Sequence, residues 1–93
     1  MAKRRVVVTG IGAVTPIGLN VPDFWDALIN GKNGVSPITH FDPTKFDTKF
    51  AAEVKDFNPE KYFDKKSVKR LDRFSQFAVA ASVQAIEDSK IDL

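Results

Sequence analysis

The apolar pattern opens with a block rather than an alternation. Arg4 and Arg5 lead into Val6-Val7-Val8 and Thr9, a continuous β-branched run. A strand that is apolar on both faces belongs inside a sheet covered on both sides, usually a parallel one. Residues 4–9 are therefore predicted to form a buried strand. Gly10 and Gly12 end or bend it, and Pro16 and Gly18 continue an irregular connection. A short helix is predicted over residues 21–30. Asn20 suits its N-cap, Pro22 falls in the first turn, and Asp23 adds a favourable negative charge there. Phe24, Trp25 and Leu28 would share one face. Gly31 stands where a left-handed C-terminal cap is expected, and Gly31-Lys32-Asn33-Gly34 reads as a turn.

Residues 35–49, with Pro37, Pro43 and scattered Asp and Thr, read as a loop. A short strand is predicted at 50–54, and Asn58-Pro59-Glu60 carries the signals of a helix start. The longest periodic segment runs from Ser67 to Ser89. Leu71, Phe74, Ala78, Ala81 and Ala85 recur at steps of three and four, the spacing of one helix face. Three of these five are alanine, so a neighbouring element is expected to approach this helix closely.

A single strong strand creates a difficulty. A buried strand needs partners at both edges, and an unpaired buried backbone group costs on the order of 1–3 kcal/mol. The weak strand at 50–54 cannot supply both edges, and a parallel partner would need a further crossover. The 93 residues are thus expected to be an incomplete α/β domain. A chain of this size buries only about 60–65% of its unfolded surface.

Composition narrows the class. Ten aromatic residues argue against disorder, and no apolar run approaches the roughly 20 residues of a membrane span. The basic start at Lys3-Arg4-Arg5 precedes too short an apolar stretch for a secretory signal, so the chain is read as cytoplasmic. There is no cysteine, hence no disulfide framework and no thiolate nucleophile. The net charge of +2 is too small to argue for nucleic acid. It is unevenly spread, however. Residues 61–73 hold six cations (Lys61, Lys65, Lys66, Lys69, Arg70, Arg73) against Asp64 and Asp72, which leaves the remainder net negative. Such a patch suits an acidic partner.

Three motifs invite chemistry. Thr9-Gly10-Ile11-Gly12 follows a predicted strand, as a dinucleotide-binding turn would. The third glycine of that pattern should occupy position 15, which is Thr15, and Pro16 stands where the phosphate-binding helix should begin. The glycines read better as a tight turn after the strand. His40 is the only histidine, and neither a second histidine nor a cysteine exists to complete a metal site. Its neighbour Asp42 reads as a turn initiator with Pro43. No cofactor is expected. The basic cluster remains. On one continuous helix Lys66, Lys69, Arg70 and Arg73 would share a face, at a cost of a few tenths, about 0.2–0.5 kcal/mol, per like-charged pair. That arrangement reads equally as a solvated face or as a docking site for something anionic.

The stretch from Arg4 through Val8-Thr9-Gly10-Ile11-Gly12 to Thr15-Pro16-Ile17-Gly18 resembles the opening of bacterial β-ketoacyl-acyl-carrier-protein synthases, the elongating synthase II type above all. So do Phe24-Trp25-Asp26-Ala27-Leu28, Gly31-Lys32-Asn33-Gly34, Phe41-Asp42, Lys49-Phe50-Ala51 and Lys69-Arg70-Leu71-Asp72-Arg73-Phe74. The resemblance implies a thiolase-like fold of two similar stacked α/β halves, with the complete enzyme a homodimer. This chain would supply the first strand and helices of the N-terminal half. It implies an acyltransferase that condenses an acyl thioester with malonyl-carrier protein through a cysteine, two histidines and a lysine. None of those catalytic positions falls within these residues, and His40 matches neither family histidine. The segment alone is therefore expected to be inactive. The resemblance also implies docking of acidic acyl-carrier protein by basic residues. The matching positions are Lys66, Lys69 and Arg70, with Arg73 one turn further on. A non-catalytic chain-length-factor-like partner, a polyketide subunit of the same fold and a stand-alone carrier-binding module remain open as alternatives.

Overall fold

The side chain of Asn20 accepts the backbone N–H of Asp23 at 2.8 Å. That bond starts helix α1, Val21–Ile29, with proline in its first turn. The computed structural model describes residues 3–93. Gly31 follows α1 with φ +70, the left-handed value expected of it. Helix α1 turns Ala27 inward, whereas Trp25 and Leu28 are exposed. The predicted face of Phe24, Trp25 and Leu28 is thus split, because apolar residues ring the helix and one side alone meets its neighbours.

A two-stranded antiparallel hairpin follows. Strand β1, Val35–Pro37, pairs with β2, Phe50–Ala52, in the register Val35 to Ala52, Ser36 to Ala51 and Pro37 to Phe50. The predicted strand at 50–54 exists but is shorter. Its partner lies in a region that reads as loop, because three residues ending in proline carry no alternation of their own. The connecting loop closes on the Lys49 ammonium, which donates to Pro43 O at 2.9 Å, Thr44 O at 2.8 Å and also to Phe46 O. Asp42 accepts the Thr44 N–H at 3.1 Å, the turn expected of Asp42-Pro43.

Asn58 caps a 3₁₀ turn at Pro59–Lys61 by accepting the Glu60 N–H at 3.1 Å. Asp64 caps α2, Lys65–Arg70, by accepting the Ser67 N–H at 2.8 Å. Helix α3 then runs over Arg73–Ser89. The single helix predicted from Ser67 to Ser89 is therefore two helices. Leu71 leaves the helical region (φ −103, ψ 135) and Asp72 takes an extended N-cap conformation (φ −66, ψ 157). The break leaves Lys66, Lys69 and Arg70 on α2 and Arg73 at the start of α3, so the four cations do not share one continuous helix.

The strand predicted at 4–9 is absent. Among the described residues nothing pairs with this segment, and Val6 and Val8 are 89% and 82% exposed. An extended run without a neighbouring strand makes no ladder, whatever its β propensity. The segment does dock further along. An added Cβ on Gly10 would lie 2.2 Å from Ala85 O, and one on Gly12 would lie 1.9 Å from Ala81 O. These glycines allow backbone to lie against α3, and neither has a positive φ. The turn reading of Gly10 and Gly12 gives way to one of close approach. The expectation of small α3 residues against a near neighbour holds at Ala81 and Ala85. It fails at Phe74, which is 72% exposed, and at exposed Ala78.

Little of this encloses a core. Ala27, Ala80 and Gln76 are the only buried residues described. The radius of gyration is 16.9 Å, against about 12 Å for a compact domain of this length.

Candidate functional site

Helix α2 presents the basic cluster. Lys65, Lys66, Lys69 and Arg70 are all exposed, and Lys69 and Arg70 occupy the last turn. Cations at that end complement the partial negative charge of the helix C-terminus. Hydrogen bonds from the Ser67 N–H and hydroxyl hold the Asp64 carboxyl below its ordinary value. The one ion pair among the described residues is His40 with Glu53, so none of these four cations is neutralised by a neighbouring carboxylate.

Arg73 behaves differently. Its Nη2 donates to Val54 O at 3.0 Å, and its guanidinium lies 5.0 Å over the centre of the Phe77 ring. Phe77 meets Phe57 edge-on at 5.0 Å, and Phe57 stacks on Tyr62 at 6.1 Å. This aromatic cluster fixes the 3₁₀ turn ahead of α2 against α3. Arg73 is exposed, yet it is already tied to the scaffold.

Two glutamines that the apolar pattern passes over organise the surroundings. The Gln84 carbonyl accepts the Ala13 N–H at 3.0 Å, while its amide donates to Leu19 O at 2.8 Å and to the Tyr62 hydroxyl at 3.1 Å. Asp88 accepts the Ile11 N–H at 3.0 Å. Alternate N–H groups of the amino-terminal segment, which would bond to a strand in a sheet, here reach helix side chains. Gln76 sits 6% exposed at the junction of α2 and α3. The signal for both glutamines was available, since Gln76, Ala80 and Gln84 recur at steps of four along the inner side of α3.

The hairpin carries a second polar centre. The Glu53 carboxylate accepts from the Thr39 N–H at 3.1 Å, the Thr39 hydroxyl at 3.0 Å and the His40 N–H at 3.2 Å, and lies 3.5 Å from the His40 ring. Burial pushes this carboxyl up, but the bonds from Thr39 and His40 outweigh it and leave the pKa below the ordinary 4.5. A carboxyl lowered in the folded state stabilises that state above its ordinary pKa and ceases to do so as pH falls through the lowered one. Amide protection at Thr39 and His40 should therefore fall on acidification below pH 4.5, and Glu53→Gln, read by hydrogen exchange, should flatten that dependence. Between α1 and the hairpin opens a cleft of about 620 Å³ that includes Asp23, Asp26, Lys32, Glu53 and Lys55. Its charges are mixed. Among the described residues there is no cluster of metal-ligating side chains and no helix long and apolar enough to cross a membrane.

Residues 3–93 match the family described as "Beta-ketoacyl synthase, N-terminal domain". This chain belongs to the β-ketoacyl synthase family. Over 91 residues it is 52% identical to "3-oxoacyl-[acyl-carrier-protein] synthase 2" of Synechocystis sp., covering 98% of this chain and 22% of that protein. The protein of the same name from Coxiella burnetii is 52% identical over 93 residues, again with 22% of its length covered. Among solved structures, "The ishigamide ketosynthase/chain length factor" superposes with a TM-score of 0.86 at 37% identity, covering 98% of this chain and 23% of that one. The chain thus spans about a fifth of the length of the relatives it matches. Its arrangement is that of part of a thiolase-like ketosynthase N-terminal domain, as the resemblance in the sequence implies.

Proposed function

We propose that this chain forms the amino-terminal scaffold and carrier-docking surface of an enzyme that condenses an acyl thioester with malonyl-acyl-carrier protein to give 3-oxoacyl-acyl-carrier protein in fatty acid synthesis. The observation that carries the reading is 52% identity, over essentially the whole chain, to two proteins named 3-oxoacyl-[acyl-carrier-protein] synthase 2. The acyl-accepting cysteine and its assisting groups lie outside these 93 residues, which contain no cysteine. The protein acts in the cytoplasm as a homodimer, with neither nucleic acid nor membrane as partner.

Acidic carrier protein docks on α2 through Lys66, Lys69 and Arg70, with Arg73 contributing from the start of α3. Four exposed cations free of carboxylate partners on one short helix support this reading. Rim charges of this kind are worth about 0–1 kcal/mol each and act mainly on encounter rate, as a shuttling carrier requires. In the full-length protein, Lys69→Glu with Arg70→Glu should raise KM for an acyl-carrier substrate far more than for a small acyl thioester. Equal effects on both substrates would remove the docking site from α2.

The likeness to the ishigamide ketosynthase/chain length factor favours a second reading, a non-catalytic partner subunit of the same fold. The two readings part at the residue that stands in the nucleophile's position.

A further inference from the structure

Gln76 is the one buried polar side chain described, at 6% exposure. Its backbone N–H donates to Asp72 O at 3.0 Å and closes the first turn of α3. The side-chain amide has two protons to donate. One goes to Val68 O at 3.2 Å and the other to Leu71 O at 3.1 Å. Both acceptors lie at the C-terminal end of α2, where helix carbonyls have no partner within the helix. A helix of six residues has little internal stability, so its outside contacts decide its order and direction. One residue therefore clamps the last turn of α2 and the first turn of α3 across the break at Leu71 and Asp72.

We infer that Gln76 is a positioning residue for carrier docking: by clamping the C-terminal turn of α2 to α3, it sets the direction in which Lys66, Lys69 and Arg70 face. The inference rests on the docking reading above and adds the group that makes the basic face a fixed pattern. Charge complementarity discriminates between partners only when the charges are held in register, and a face that must first be ordered on binding loses affinity. Gln76 itself touches no carrier protein, since its amide is turned into the junction.

The test uses Gln76→Met in the full-length protein, a side chain of similar length with no proton to donate. KM for acyl-carrier substrate should rise about tenfold, with kcat changed by less than about twofold and the constants for a small acyl thioester nearly constant. Added to Lys69→Glu with Arg70→Glu, the same substitution should raise KM no further, because the face it orients has lost its net positive charge. A parallel loss with both substrates, or no loss with the carrier substrate, overturns the inference. The charge reversal measured alone is a separate arm, and its failure overturns the docking reading whatever Gln76→Met does. If Gln76→Met unfolds the protein, Gln76→Asn is read in the same way, since it keeps an amide but falls one methylene short. Unfolding of both assigns Gln76 to general stability and overturns the inference.

Discussion

Gly12→Val is expected to destabilise the full-length protein by about 3 kcal/mol or more, measured as a fall in the denaturant midpoint. The first atom of any side chain here would stand 1.9 Å from Ala81 O and 2.9 Å from the Gln84 Cβ. The obstruction is backbone of α3, which cannot rotate aside as a side chain can. Accommodation would require the segment to lift off the helix. That movement would also lengthen the bonds from Ile11 N–H to Asp88 and from Ala13 N–H to Gln84. Gly31→Asn is the matched control. Nothing lies within 4 Å of that position, and asparagine tolerates the left-handed backbone that Gly31 adopts. It should change stability by no more than about 0.5 kcal/mol. Equal tolerance at the two glycines would mean that the amino-terminal segment does not rest on α3.

Gln84→Leu is expected to cost about 2–4 kcal/mol, the second large effect. The substitution keeps the bulk and removes three partners at once: the Ala13 N–H, Leu19 O and the Tyr62 hydroxyl. A typical hydrogen bond contributes roughly 0.5–1.5 kcal/mol net, and partly buried groups left without partners add to the loss. Gln84→Glu should fall in between, because a carboxylate still accepts the Ala13 N–H but donates to neither Leu19 O nor Tyr62. Hydrogen exchange separates the contributions. The Ala13 amide should lose protection in Gln84→Leu and largely retain it in Gln84→Glu. If both variants match the parent, solvent or another group holds these partners, and Gln84 is not the joint between the amino-terminal segment, the region before α1 and the 3₁₀ turn.

The local devices of this fold were legible because they depend on neighbours in sequence. Asn20 caps α1, Asn58 caps the 3₁₀ turn and Gly31 takes the left-handed position, each within three residues of what it satisfies. The continuous β-branched run at 4–9 reads as a strand, and none is formed there. Three consecutive valines describe an environment covered on both sides, and among the described residues no neighbouring strand provides it. Residues 67–89 read as one continuous helix because Leu71 and Phe74 keep its spacing. Periodicity registers side-chain chemistry and is blind to a single residue leaving the helical region. The consequence reaches the candidate site, since the break separates Arg73 from the α2 cations and lets it bind Val54 O. The apolar pattern passes over Gln76 and Gln84 because all but one of their partners are backbone atoms, which leave no mark in the residue code.

By itself the sequence determined the family likeness, the helix starts and the basic cluster of residues 61–73, because capping, turn geometry and charge are written in residue types close along the chain. Only the tertiary structure decided that Gly10 and Gly12 serve contact with α3 and that β1 pairs with β2. It alone decided that one glutamine joins two helices and another joins three segments. These are matters of which distant atoms come within bonding distance, 71 residues apart for Gln84 and Ala13. That proximity is fixed by packing rather than by the preference of any residue for a conformation.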